Sequence, residues 1–258
     1  MTRVLEAIVR KSVHALLRRK AALPVAELER RVAQAPPTRD LTAALALAGI
    51  SLVAELKARS PSAGILCRPY EPAKLAQIYE ANGARALSVL TQASHFGGRL
   101  EHLSRVRQSS RLPLLQKDFL LDEYQLLEAR VAGADAVLLI VRLLGGRRLR
   151  QMHQVATDLG MSVIVEVHSR ADLGEALPLK PAVIGINHRD LDTLQLNMSL
   201  VAELRSDLPE GCLVVAESGL SSAAAVAQLK ASIDAILVGE AILAASDRPA
   251  KVREFAQA

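Results

Sequence analysis

The feature that most constrains this chain is a repeating unit. From about residue 50 onward, a short Val-, Ile- or Leu-rich run is followed by a turn with Gly, Ser, Asn or Asp, and then by a helical pattern. A buried run followed by a helix is the unit of a parallel sheet, because parallel neighbours cannot be joined by a tight hairpin. Eight such runs can be marked, at 51–57, 84–90, 113–118, 136–141, 162–167, 183–187, 213–218 and 235–239. Between them, Leu75, Ile78 and Tyr79 share one face of a helix over 71–83 that Asn82 and Gly83 stop. Gly133 and Gly160 end the helices over 122–133 and 148–160, and Ser221 or Ser222 opens one over 221–230.

Strand-helix units recurring every roughly 20 to 30 residues suit a closed (β/α)8 barrel. The competing open doubly wound sheet calls for a Gly-rich dinucleotide turn after its first strand. Residues 57–64, Lys-Ala-Arg-Ser-Pro-Ser-Ala-Gly, are neither that turn nor a P-loop. The expected fold is therefore α/β: a TIM barrel with extra N-terminal helices, in a single domain over 1–258. Within it, 1–48 form a helical extension, broken at Pro36-Pro37, and 49–258 form the barrel.

Composition narrows the partners. The chain has 258 residues, half of them apolar, and charges interrupt every apolar run before the ~18 residues of a membrane span. The N-terminus lacks the pattern of a secretory signal. Its Val4, Ile8, Leu16 and Leu17 are instead expected on one face of a helix packed against the body. Two cysteines, Cys67 and Cys212, at no metal-ligand spacing, suit a reducing cytoplasm. The net charge of +5 arises from 32 basic residues interspersed with 27 acidic ones, and only 2% of the chain is aromatic. That balance offers few stacking platforms for nucleic acid and suits a small anionic metabolite.

Strands buried on both faces should read as continuous apolar runs, so polar residues within them carry information. Here they fall at the C-terminal ends: Glu55 and Lys57, Lys117 and Asp118, Glu166, Asn187, then Glu217 and Ser218. In a barrel these positions converge on one mouth. Two Lys and three Glu on one rim carry a large desolvation cost that function would explain. Such residues can do acid-base work on a carbonyl or an enamine without a metal or organic cofactor. The histidines His95, His102, His153, His168 and His188 show no ligand spacing, and His168, just after Glu166, reads as a supporting or turn residue. Ser218-Gly219 and Gly239-Glu240, each leading into a helix from one of the last two strands, suit an anion such as phosphate.

These strand ends resemble, in order, those of the indole-3-glycerol-phosphate synthase family. The resemblance is carried by AELKARSPSAGI (54–65), SVLTQASHFGG (88–98), PLLQKDFLLDEYQ (113–125), GADAVLLIVRLL (133–144), VEVHS (165–169), IGINHRDLDT (184–193), AESGL (216–220) and LVGEAI (237–242), and runs from about residue 50 to 243. It implies a carboxy-lyase of tryptophan biosynthesis that needs no cofactor. The implied reaction converts 1-(2-carboxyphenylamino)-1-deoxyribulose 5-phosphate to indole-3-glycerol phosphate, carbon dioxide and water.

By motif, Lys117 resembles the general acid, Glu166 the acid/base of the later dehydration, and Lys57 with Glu55 the ion pair beside the reacting centre. Asn187, Glu217 and Ser218 resemble the orienting residues, and Arg189 the one that meets the anthranilate carboxylate. Ser218, Gly219, Gly239 and Glu240 occupy phosphate-loop positions, to which Lys57 can add charge. Ser60 belongs to the serine-proline-serine loop at 60–62, and Pro61, Phe96, Phe119, Leu138 and Leu191 would line the aromatic pocket. The implied partner is the small phosphorylated anthranilate-derived substrate, with no nucleic acid and no membrane, in a cytoplasmic monomer or weak homodimer.

The sequence departs from the family pattern at His188 (usually Asn), Gln116 (commonly Arg) and Gln92 (commonly acidic), and the first ~48 residues match weakly. His188 is expected to leave activity intact while shifting its pH optimum. Two other readings compete. Phosphoribosylanthranilate isomerase would call for Cys at the end of the first strand, where this chain has Glu-Leu-Lys. A catalytically retired barrel acting as a binding partner is opposed by the intact Lys57, Lys117 and Glu166.

Overall fold

In the computed structural model, which describes residues 3–61 and 63–258 with side chains from residue 5 onward, the eight expected runs are parallel strands closed into a barrel. They are β1 (Ser51–Leu56), β2 (Ala86–Leu90), β3 (Leu114–Lys117), β4 (Ala136–Ile140), β5 (Ser162–Val167), β6 (Val183–Asn187), β7 (Leu213–Glu217) and β8 (Ala235–Val238). Each pairs with its sequence neighbours, and β1 closes the ring against both β8 (Ser51 with Ala235) and β2 (Val53 with Ala86). β5 and β6 match the expected runs, and the other six strands are one or two residues shorter. At the start of β2, for example, Arg85 stays in the turn, where its guanidinium donates to the carbonyls of Leu47 and Ala48 and to the Ser51 hydroxyl.

Side chains alternate across a strand with period two, which sorts this barrel into two cores. Leu52, Ala54 and Leu56 of β1 point outward and, with Leu87, Leu114, Val165 and Ile184, meet the surrounding helices. Each such buried Leu, Ile or Val contributes about 1.5–3 kcal/mol. Val53, Ala86, Leu115, Leu138, Ile164, Val183, Val215 and Leu237 point inward and fill the barrel. The same alternation, carried two residues further, turns Glu55, Lys117, Glu166 and Glu217 inward at the mouth.

Local chemistry sets the helix ends. Asp122 caps Glu123–Ala132 in a capping box with Gln125, and Gly133 stops it in the left-handed region at φ 97°. Ser222 caps Ala223–Ala227 through the Ala225 N–H. The pattern expected over 148–160 is part of a longer run, Val141–Asp158, interrupted at Gly145. A short antiparallel pair, Arg59–Ser60 with Gly64–Ile65, stands in the loop after β1, where no strand was expected.

Three helices precede the barrel: α1 (Arg3–Ala22), α2 (Val25–Ala33) and α3 (Leu41–Leu45). Leu41 and Leu45 of α3 join the inner core from the side where the strands begin, and the Leu45 carbonyl accepts from the Ser51 hydroxyl. Leu5 and Ile8 of α1 join the same core from the mouth, while Leu16 packs with Leu28 and Tyr124. The expected stripe on α1 is corrected at Leu17, which is 58% exposed. Successive helical residues turn by ~100°, so Leu16 and Leu17 cannot share a narrow face. Val4's side chain and Ser62 lie outside the described residues. Among those described, no helix is long and apolar enough to cross a membrane.

Candidate active site

A cavity of about 470 Å³ opens at the mouth, within the range of small-molecule sites. The sequence-predicted residues meet there: Glu55, Lys57, Ser60, Pro61, Phe96, Lys117, Phe119, Leu138, Glu166, Asn187, Arg189, Leu191, Glu217, Ser218, Gly219, Gly239 and Glu240 all line it. Asp118, Leu194 and Leu196 line it too, as do Leu5 and Ile8 from the roof helix α1. Of the last two, Ile8 is on the stripe expected for α1 and Leu5 is not.

Lys117 sits at the centre. Its Nζ donates to Glu217 Oε2 and lies 3.4 Å from Glu166 Oε2. Burial alone would pull its pKa down, but the Glu217, Glu166 and Glu55 carboxylates outweigh it and hold the ammonium above its ordinary range. Burial pushes Glu217 up, against the pull of Lys117 and with the added repulsion of Glu166. Burial opposes ionisation of Glu166 as well, but Lys117 and then His168 prevail and hold it below the usual carboxylate range. The pair thus splits: Glu166 is the carboxylate, and Glu217 is the group that retains a proton more readily. Nearby, Lys57 Nζ lies 2.5 Å from Glu55 Oε1.

Two glycines make this crowding possible. A Cβ at Gly185 in β6 would run into the Glu217 carboxylate and approach Ile164 at 2.9 Å. One at Gly239 would collide with Glu55. Only residues without side chains leave room for the two buried carboxylates at these points.

At the end of β6, Asn187 Oδ1 accepts from the Arg189 N–H, and on the loop that follows, the Arg189 guanidinium donates to the Leu194 carbonyl. Ser218, at φ 65°, and Gly219, at φ 76°, turn the backbone through the left-handed region directly after β7. Ser218 has a side chain and holds that conformation against strain. The His188 ring lies behind it, outside the cavity, with Nδ1 donating to the Ser218 carbonyl at 3.0 Å. Any effect of His188 on a ligand therefore passes through Ser218. Gln116 and Gln92 are also buried; Gln116 donates to Thr91, whose hydroxyl meets Asp118, and Gln92 accepts from the His95 N–H and caps the short helix Ala93–Phe96.

The family model described as Indole-3-glycerol phosphate synthase matches residues 5–255. The chain belongs to the indole-3-glycerol phosphate synthase family. Its membership starts well before residue 50 and continues past 243, so it takes in the N-terminal helices that matched weakly by motif and the last helix, Arg248–Ala256. An indole-3-glycerol phosphate synthase of Dehalococcoides mccartyi is 43% identical over 98% of this chain and 99% of its own length. Indole-3-glycerol phosphate synthase 2 of Streptomyces coelicolor is 43% identical over 96% of each chain. The synthase fold is also shared with more distant barrels. Thiamine phosphate pyrophosphorylase from Pyrococcus furiosus aligns at a TM-score of 0.63 and 17% identity, covering 84% of this chain and 96% of its own. KGPDC from Streptococcus mutans aligns at 0.61 and 13%, covering 81% and 96%.

Proposed function

We propose that this member of the synthase family closes the indole ring of 1-(2-carboxyphenylamino)-1-deoxyribulose 5-phosphate, with Lys117 as general acid. The observation that carries the assignment is the placement of the Lys117 ammonium between two buried carboxylates, on the floor of a cavity with apolar walls.

Ring closure needs the aromatic carbon bearing the carboxylate to attack the ribulose carbonyl while a proton reaches the carbonyl oxygen. A charged Lys117 in a water-poor site can deliver it. Loss of carbon dioxide then restores electrons to the ring, and loss of the new hydroxyl as water completes the indole. Glu166, held ionised, is suited to take the ring proton in the dehydration, and Glu217 to return a proton to Lys117. The Lys57-Glu55 pair borders the reacting centre, and Asn187 orients the loop that carries Arg189.

The substrate's two anionic ends suit different residues of the cavity. Arg189, which lines the cavity, is suited to meet the anthranilate carboxylate. The backbone at Ser218-Gly219 and Gly239-Glu240, which with Lys57 lines the cavity, is suited to the phosphate. Phe96, Phe119, Leu138, Leu191 and Pro61 offer apolar contact to the aromatic ring, and Leu5 and Ile8 cover it. Ser60 holds its loop by accepting from the Ala63 N–H. The reading treats 1–258 as one domain whose first 48 residues roof and floor the barrel. It requires neither nucleic acid nor membrane, and each cavity draws on its own chain, which suits a cytoplasmic monomer or weak homodimer.

The test is to incubate purified protein with the carboxyphenylamino-deoxyribulose phosphate and follow indole fluorescence. Product should appear with one carbon dioxide per indole; a folded protein that yields none would overturn the assignment.

A further inference from the structure

A histidine that the proposed chemistry does not use stands directly behind Glu166. Glu166 and His168 are two residues apart, so both turn to the same side at the end of β5. The His168 side chain is fully excluded from solvent and does not line the cavity. Its Nε2 lies 3.1 Å from Glu166 Oε1, and its Nδ1 lies 3.9 Å from Asp172 Oδ2. Neither ring nitrogen is aligned for a well-formed hydrogen bond. Leaving two buried polar atoms so poorly paired is costly unless the ring serves the carboxylates on either side.

The line continues. Asp172 is fixed by accepting the His168 backbone N–H at 2.8 Å, and its Oδ2 lies 3.8 Å from Arg142 Nη2. Arg142, just past β4, reaches across to the loop after β6: Nη1 donates to Asp190 Oδ2 at 2.9 Å and lies 3.5 Å from Asp192 Oδ2. Asp190 in turn accepts from the backbone N–H groups of Asp192 and Thr193, shaping the loop that carries Arg189 and Leu191 into the cavity. A line of polar and charged groups therefore runs from Glu166 through His168, Asp172 and Arg142 to the loop that carries Arg189.

We propose that His168, Asp172 and Arg142 are positioning residues that couple the orientation of Glu166 to the seating of the 190–194 loop. This rests on the ring-closure reading above, since it assigns what the line positions. With Asp172 and Arg142 on one side and Glu166, backed by Lys117, on the other, His168 is the link between the two groups of charges. Seating the loop around a bound anion pulls on Arg142, and the displacement is passed to Glu166 through Asp172 and His168. A purely structural salt-bridge cluster would couple the same variants in stability but would leave the pH profile of kcat unmoved.

The experiment is a double-mutant cycle in the ring-closure assay, on the full chain, with His168→Gln, Arg142→Met and the pair. Wild-type turnover is measured first, so silence there counts against the ring-closure assignment and not against the coupling. His168→Gln should lower kcat about 10-fold, well short of the ~100-fold or more expected for losing an acid-base group itself. It should leave KM within about twofold and move the acid limb of the kcat profile to higher pH, because Glu166 loses a group that favours its ionised form. Arg142→Met should raise KM and lower kcat. In the double variant the kcat losses should fall short of their product by about threefold or more, as for residues in one network. Asp172→Asn, which keeps an acceptor for the His168 N–H, guards against misfolding of the buried variant and should reproduce the shifted acid limb. Strictly multiplicative losses, or an unmoved acid limb in both His168→Gln and Asp172→Asn, would overturn the proposal.

Discussion

The two ends of the barrel use the same kinds of residue in opposite ways. At the end where the strands begin, Asp135 is 1% exposed, yet its carboxylate accepts from the Arg39 and Leu114 backbone N–H groups, and both of its oxygens accept from Arg107 Nη1, all at 2.7–2.9 Å. Arg130 and Arg85 likewise end on backbone carbonyls. At the mouth, Glu217 Oε1, Gln116 Oε1 and both His168 ring nitrogens are buried without a well-formed partner. A satisfied buried charge rigidifies the fold, whereas an unsatisfied one stores interaction for something that arrives later. The comparison teaches that burial of charge is not itself a mark of function; incomplete pairing of that charge is the sharper signal.

This contrast can be broken by substitution. The largest effect is expected from Lys117→Ala, which should lower kcat for ring closure by about 10²–10⁴-fold, read from initial rates of indole fluorescence. Asp135→Asn should do the reverse. Loss of the charge facing Arg107 at a buried site should cost about 3 kcal/mol in urea unfolding while kcat stays within about twofold.

The smallest effect concerns His188, whose pKa burial holds below its ordinary 6.5, against backbone contacts to Ser218 and Glu217. As pH falls below 6.5, the unfolded chain takes up this proton before the folded one does. Stability from a neutral His188 is thus complete above pH 6.5 and is lost as pH falls toward the folded value. His188→Asn should flatten the slope of unfolding free energy between pH 6.5 and 5. Because the ring lies behind Ser218, any shift in the activity optimum should follow from altered seating of that residue; an unchanged stability slope would contradict the buried-neutral reading.

The fold was legible because parallel strands buried on both faces leave continuous apolar runs, and because Gly133, Gly160 and Ser222 punctuate the helices with recognisable chemistry. The mouth was legible for the same reason: Glu55, Lys117, Glu166 and Glu217 interrupt runs that should have been apolar. Residues that act through three-dimensional placement were harder to see. The expected stripe on α1 includes Ile8 and Leu16, both buried, but leaves out Leu5 and takes in the exposed Leu17, and nothing in it points to the barrel mouth. Leu194 and Leu196 lie in a loop with no periodicity to interpret. Gly185 reads as an ordinary strand glycine until the Glu217 carboxylate is seen to occupy the space of its missing side chain. His168 reads as a supporting or turn residue: its two-residue spacing from Glu166 is visible in the sequence, but the Asp172 and Arg142 that continue the line behind it are not.

The most direct test of the contrast is turnover per folded molecule, taken from activity and urea-unfolding measurements on the same preparations of Lys117→Ala and Asp135→Asn. The account predicts that Asp135→Asn retains near wild-type turnover per folded molecule while Lys117→Ala falls at least ~100-fold below it. Equal turnover per folded molecule in the two variants would contradict it.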